Sequence, residues 1–408
     1  MTFSQTPFHD IAFVMARRIA ILATRCADGL SSRSVAKHLI YVIYMCMLLL
    51  CPVGLMGQTF GWSWIKGSEQ KVGGHQWFRQ TYTNLGTVHD ATLRVATTGY
   101  VKVYVNGRQV STDPITPYRP TNSGEVVALT YHVAPFLRPD SVHIAVWYAP
   151  VSQVNDSCQL AVSFFGEDVD GERFGFQTDD TWLCRPAASW YYDDAGVVGE
   201  GSDGCAMQPE WTFGDTDWAL WQPAQVVNEP GCRLVVEVDS RERLRLKRVY
   251  KASLCNTALD NEQLSAANDR LLMANSQLVT INNPLLTSNK QLVTINNPHL
   301  VANKPLFITN NRTTTASKER VTAVFSQPFF GFVRVTMRGA RRGERIVTDN
   351  GLAYICNNQM DEQLFNRFIP CQQNVFSVMG DYRFKASQVQ YVEGLELSTY
   401  MLLPWMNN

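Results

Sequence analysis

The densest grouping of side chains that could do chemistry together is Trp190-Tyr191-Tyr192-Asp193-Asp194. Sugar C–H faces pack on aromatic rings, and carboxylates fix hydroxyl groups, so such a run could hold a carbohydrate. It reads as part of a loop, where binding residues concentrate on a rigid scaffold. The competing reading places the same rings between the sheets of a sandwich. Two further stretches carry paired acids. In Met360–Phe365 (MDEQLF) the neighbours Asp361 and Glu362 would point to opposite faces of a strand, or lie ~100° apart on a helix. They therefore read as a solvated turn or short helix rather than as a catalytic pair. In Glu167–Glu172 (EDVDGE) the carboxylates could offer oxygen ligands to Ca²⁺, but Asp170-Gly171 reads more simply as a hairpin turn.

Other chemistries have no signature. The sequence contains neither HExxH nor GxSxG, and its seven histidines are scattered. Glycoside hydrolysis needs two carboxyls facing each other across a cleft, and no motif marks such a pair. No catalytic residue, metal site or cofactor is assigned, Ca²⁺ at the acidic turn being the one ion considered.

Net charge is zero, with 36 basic and 36 acidic residues. The first 57 residues differ from the rest. Arg33 and Lys37 precede an apolar run from Leu39 to Cys51, and the small residue Gly57 precedes Gln58. A positive flank, an apolar core and a small residue at the cut describe a secretory signal; the run is shorter than the ~18 residues of a membrane span. Cleavage after Gly57 removes five basic and two acidic residues, leaving 31 and 34, a net of −3. Nothing in that balance steers the chain to nucleic acid or to an anionic membrane. The expected location is secreted, periplasmic or cell-surface. Seven cysteines remain, an odd number with no CxxC pair. Buried thiols with one or two disulfides are expected rather than a metal site.

The elements that must position these residues are strands. In Tyr100–Val105, Val101, Val103 and Val105 share one face, and Tyr100, Lys102 and Tyr104 the other. Asn106-Gly107 follows, the strongest short hairpin signal, because a type I′ turn needs positive φ at both positions. EVVALTYHV, SVHIAVWY and QLAVSFF repeat the alternation at short spacing, as in a sandwich or jelly roll. A second β block begins near Cys232, where Leu244, Leu246 and Val249 alternate with Arg243, Arg245 and Lys247, the basic side reading as a solvated face.

Within that block lies a repeat of four 14-residue units: Asn261–Ala274, Asn275–Ser288, Asn289–Ala302 and Asn303–Ala316. Leu264, Leu278, Leu292 and Leu306 share a column, as do Asn268, Asn282, Asn296 and Asn310. The first unit lacks proline and spaces Leu264, Ala267 and Leu271 as an amphipathic helix starting after Asp260. Pro284 and Pro298 break any helix in the next two, which read as short LVTI pieces separated by NNP turns. An inserted, partly ordered loop is expected rather than a working solenoid.

The order of motifs resembles the non-catalytic N-terminal part of bacterial α-L-rhamnosidases. Trp77–Tyr82 (WFRQTY) resembles the entry strand of that module, ATLRVATTGYVKVYVNGRQV its hairpin ending in "NG", and LTYHVAPFLRPDSVHIAV a later segment. Thr178–Ala187, Gly199–Gly204 (GEGSDG) and Asp215–Val227 are similar to three further short motifs, which assign Trp182 and Trp218 to the core. Val324–Ile346 resembles a strand-and-turn motif downstream, although Val324, Ser326 and Pro328 replace its usual polar residues. In that family the catalytic acids lie in a helical barrel beyond these sandwiches.

The resulting expectation is an all-β chain. Residues 1–57 form a leader, 58–230 a jelly-roll-like β-sandwich, and 231–404 a second sandwich interrupted by a repeat-containing insertion at 257–318. The expected function is that of an exported, non-catalytic carbohydrate-binding or accessory protein, with a rhamnose-containing glycan as the implied partner. The alternatives are a fragment or degenerate form of a rhamnosidase-like glycoside hydrolase, and a structural or interaction module.

Overall fold

The hairpin predicted at Asn106-Gly107 is present in the computed structural model of the chain. Both residues have positive φ, 49° and 78°, as a type I′ turn requires. A side chain at Gly107 would also collide with the Phe213 ring, since a Cβ there would stand 2.1 Å from it. The structure describes residues 62–401, apart from 68–71, 84, 119–124, 152–157, 195–196, 208, 214–219, 232, 237–241, 261 and 272–315. The leader, the last three repeat units up to residue 315, and Trp218 therefore lie outside the described residues.

Chain order gives β1 (Trp64–Lys66), β2 (Gly74–Thr83), β3 (Val88–Thr97), β4 (Tyr100–Val105), β5 (Arg108–Gln109), β6 (Glu125–His132), β7 (Ser141–Ala149), β8 (Gln159–Asp168), β9 (Arg173–Gln177), β10 (Leu183–Asp194) and β11 (Val197–Asp203). There follow β12 (Gln222–Pro223), β13 (Gln225–Val227), β14 (Arg233–Val236), β15 (Glu242–Lys251), β16 (Ser253–Ala258), β17 (Glu319–Met337), β18 (Arg345–Thr348), β19 (Leu352–Ile355), β20 (Glu362–Leu364), β21 (Cys371–Gly380) and β22 (Val389–Met401). One sheet of seven strands runs β13-β1-β8-β3-β6-β14, with β9 on β8. The other, of 15 strands, runs β15-β22-β17-β21-β18-β19-β11-β10-β2-β7-β4-β5, with β12 on β10 and both β16 and β20 on β17.

The first sandwich forms where the seven-stranded sheet meets β10, β2, β7 and β4. Its core draws Leu93, Val95, Leu129, Leu160, Val162 and Phe164 from one sheet, and Phe78, Val101, Val103, Ile144 and Val146 from the other, with Trp182 from the turn just before β10. These are the apolar halves of alternating strands, as period 2 demands. The second core is enclosed by strands of the long sheet alone: Val321, Val333 and Val335 of β17 pack with Ile346, Phe376 and Val392. A register shift in β17 between Val324 and Phe329 allows the strand to pair in two directions, the usual effect of a bulge.

The long sheet joins the two sandwiches directly. β11 pairs in parallel with β19, Glu200 opposite Leu352 and Asp203 opposite Ile355. The boundary also falls later than residue 230, since β14 pairs with β6 of the first sandwich. A second seam is apolar: Ile115, from the segment after β5, packs with Leu244, Phe332 and Leu397. The Tyr400 hydroxyl donates to Asp113 at 2.9 Å nearby. The described residues from Trp62 onward form a single compact unit.

Two sequence expectations need correction. The alternation of Leu244, Leu246 and Val249 does not bury all three. A register shift between Leu246 and Arg248 interrupts the edge strand β15, leaving Leu246 and Val249 largely exposed while Leu244 is buried. The insertion is also not a loop from residue 257. Thr257 and Ala258 belong to β16, and residues 262–271 form the α-helix expected after Asp260. Asp260 caps it reciprocally. Its carboxylate accepts the Gln263 amide at 2.8 Å, and the Gln263 side chain accepts the Asp260 amide at 3.4 Å, a capping box. Ala267 and Leu271 are buried against Trp190, Tyr192, Val347 and Ile355. The first unit thus belongs to a core. Leu271→Ala is expected to destabilise the chain by about 3 kcal/mol in urea unfolding, through the cavity it leaves. Deleting Asn275–Ala302, which spares that unit, is expected to leave the transition nearly unchanged. Equal losses from the two changes would contradict this division.

Candidate functional site

Alternation along β4 sends its valines into the core and Tyr100, Lys102 and Tyr104 to the opposite side, where all three are half-buried. Strand register extends that row. Lys102 faces Trp147 of β7, Trp147 faces Trp77 of β2, and Trp77 faces Arg185 of β10. Two cations thereby bracket two tryptophans across four strands. The Trp77 and Trp147 rings meet edge-on at 5.9 Å. Trp211, from a 3-10 turn at Pro209–Thr212, stacks on Trp77 at 4.9 Å with 9° between the planes. The Arg185 guanidinium lies 4.9 Å from the Trp77 ring centre, and that of Arg79 lies 4.2 Å from Trp221. Such placements are favourable because ring faces carry negative charge density.

The second sandwich completes the site through the segment after β20. Phe368 sets its ring edge-on to Trp147 at 5.8 Å and to His75 at 5.2 Å. The Arg367 guanidinium lies over Trp147 at 5.0 Å and over Phe365 at 4.6 Å. Glu200 of β11 holds this segment in place. Its fully buried carboxylate accepts the Arg367 amide at 2.9 Å on each oxygen and the Phe368 amide at 3.0 Å.

Burial dominates the titration of these groups. It pushes the Glu200 carboxyl above its usual range, against the two amides and the nearby Arg367 and Lys102. It lowers the Lys102 ammonium to about 8, with Arg367 lowering it further and Glu200 opposing. It raises the Tyr100 and Tyr104 phenols and lowers His75 to about 3. His75 is therefore neutral at ordinary pH, with Nδ1 2.7 Å from the Ser189 hydroxyl. The result is a buried aromatic cluster, Trp77, Trp147 and Trp211 being at most 3% exposed, with the partly buried Tyr100, Lys102, Tyr104 and Arg367 at its edge.

The sequence-predicted site residues are placed differently. Trp190, Tyr191 and Tyr192 lie in β10, not on a loop, and each ring is only 2% exposed. A ring buried to that degree offers no face to a sugar. Strand alternation also separates them. Trp190 and Tyr192 turn toward the helix of the first repeat unit, whereas Tyr191 joins Trp77 and Trp147 in the buried cluster. GEGSDG follows from the same packing, for Gly201 stands opposite Trp190, and a Cβ there would come within 2.2 Å of its ring. Asp193 is exposed at the strand end, and Asp194 is the last residue of the strand.

The acidic stretches resolve as turns. Asp361 takes a positive φ of 57° and pairs with Arg338 on the surface, while Glu362 begins β20 and is buried. Asp168 accepts the amides of Asp170 and Glu172, both at 2.9 Å, and so closes the β8–β9 hairpin. Of the carboxylates considered for Ca²⁺, Asp168 is used by the turn and Glu167 pairs with Arg173. Of the seven cysteines, the six described form no disulfide, which corrects the expected bridges as far as these six are concerned. Sequence reasoning overlooked the polar half of β4, together with Trp147 and Arg367. The signal available was the alternation itself, whose non-core side carries Tyr, Lys and Tyr.

Comparison with known proteins agrees with this architecture. Residues 86–243 match the family described as the alpha-L-rhamnosidase N-terminal domain. Among solved structures, the α-L-rhamnosidase from Dictyoglumus thermophilum is similar at TM-score 0.60 and 15% identity, over 84% of this chain and 36% of that one. The Aspergillus terreus enzyme is similar at TM-score 0.57 and 12% identity, over 84% and 36%. The Streptomyces avermitilis enzyme, solved with L-rhamnose, is similar at TM-score 0.56 and 15% identity, over 80% and 29%. No curated protein matches the sequence. No described helix is long and apolar enough to cross a membrane. Residues 86–243 thus match the α-L-rhamnosidase N-terminal domain, and the chain shares the fold of such enzymes over about a third of their length.

Proposed function

We propose that the chain is an exported, non-catalytic accessory module that binds carbohydrate on the outer face of its long sheet. The observation that carries this reading is the row of Tyr100, Lys102 and Tyr104, partly exposed on the side of β4 away from the valines and beside the buried Trp147 cluster. Tyrosines on a rigid strand give a sugar ring an apolar face to stack on and hydroxyls to bond, at little cost in side-chain entropy. The glycan class proposed is rhamnose-containing. It is supported by the match of residues 86–243 to the rhamnosidase N-terminal domain and by the structural neighbour solved with L-rhamnose.

The test is calorimetric titration of residues 58–408 with rhamnose-containing oligosaccharides. Tyr104→Ala is expected to weaken binding by at least tenfold, with thermal melting measured alongside to separate lost binding from the lost packing of its ring on Trp211. Unchanged affinity in that variant would remove this face from consideration, and turnover of an aryl rhamnoside would contradict the non-catalytic assignment.

A further inference from the structure

We infer that the glycan held on this face is acidic, and that Lys102 and Arg367 bind the carboxylate of a uronate residue beside Tyr100 and Tyr104. This rests on the carbohydrate-binding reading above and narrows its ligand class. Three observations lead to it.

Neither cation forms an ion pair among the described residues. Lys102 Nζ donates one hydrogen bond, to the Pro114 carbonyl at 2.9 Å, and lies 5.3 Å from the Phe368 ring centre, which leaves N–H capacity for a further acceptor. Arg367 rests its guanidinium on Trp147 and Phe365, contacts that leave the in-plane N–H fork unused. Half-buried cations are ordinarily matched by a carboxylate, and planar bidentate recognition of a carboxylate is what a guanidinium does best.

Glu200, the acid whose charge reaches both cations, does not fill that role. Glu200 interacts electrostatically with both cations, but its two oxygens are turned to the amides of Arg367 and Phe368. Lys102 and Arg367 thus share a single, fully buried acid whose oxygens are already occupied, so a ligand carboxylate would meet two cations.

The two cations also come from different sandwiches yet converge on one spot. Lys102 lies on β4 and faces Trp147, over which Arg367 also lies. Tyr104, the next outward residue on β4, lies within the electrostatic reach of Arg367. A sugar ring stacked on a rim tyrosine can therefore present a ring carboxylate to both cations.

The test compares an oligosaccharide of alternating rhamnose and uronate residues with its carboxyl-reduced counterpart, in which only the charge is removed. Binding of each to residues 58–408 is measured by calorimetry at physiological salt. Carboxyl reduction is expected to weaken binding at least tenfold. Lys102→Met and Arg367→Met should each shrink that preference to less than threefold, and Lys102→Arg should retain it. Thermal melting of each variant separates lost binding from lost folding, and Lys102→Arg keeps the test decisive where Lys102→Met fails to fold. Equal affinity for the two oligosaccharides overturns the inference while leaving the carbohydrate-binding reading intact. Preference undiminished in folded Lys102→Met and Arg367→Met also overturns it. Failure of both oligosaccharides to bind overturns the inference and the reading together.

Discussion

Replacing Glu200 with alanine is expected to cost about 3 kcal/mol of stability and to free the segment that carries Arg367 and Phe368. The carboxylate is fully buried and accepts two backbone amides at 2.9 to 3.0 Å. Hydrogen bonds to a charged acceptor contribute about 1.5–3 kcal/mol, and donors left unpaired in a buried site carry the full desolvation penalty. Truncation also leaves Lys102 and Arg367 without the buried negative charge that reaches both of them. Urea unfolding measures the loss, and hydrogen exchange at Arg367 and Phe368 locates it; protection unchanged at those amides would refute the assignment.

The Glu200→Gln variant separates charge from contact. Because burial raises the native carboxyl above its unfolded value, the native state binds the proton more tightly. Between the ordinary carboxylate value and the raised one, wild-type stability should therefore rise as pH falls. The glutamine variant lacks that contribution, so its stability relative to wild type should decline over the same window as the pH is lowered. A difference independent of pH would show that Glu200 titrates normally.

The second large effect is expected at Trp77. Its ring is fully buried, stacked on Trp211, edge-on to Trp147 and under the Arg185 guanidinium. Trp77→Ala removes the centre of the cluster, and the strands around it cannot collapse into the space because their register is fixed on both sides. A loss of about 4 kcal/mol is expected, read as a lower urea midpoint at unchanged slope. Glycan binding should fall as well, since Trp147 loses its neighbour. A stability change below about 1 kcal/mol would show that the cluster is loosely packed.

Local order was legible in the residues. The valines of β4, the positive-φ turn at Asn106-Gly107, the hairpin at Asp168–Glu172 and the capped helix after Asp260 all follow from short-range steric and hydrogen-bonding preferences, which a sequence displays directly. The motif order also carried the resemblance that residues 86–243 bear out. The site was not legible in the same way. Period 2 shows that Trp190 and Tyr192 share a face and Tyr191 the other, but not whether either face meets water. That depended on the helix at 262–271 and on the segment at Arg367-Phe368, which cover them from about 70 and 175 residues away in the chain. Likewise Lys102, Trp147, Trp77 and Arg185 form a row only because β4, β7, β2 and β10 are neighbours in one sheet. Sequence by itself determined which side chains each strand sends to either face, since that is set by backbone geometry residue by residue. Tertiary structure alone decided which faces are buried and which cations gather around one buried acid, because burial and pairing are properties of segments brought together across the chain.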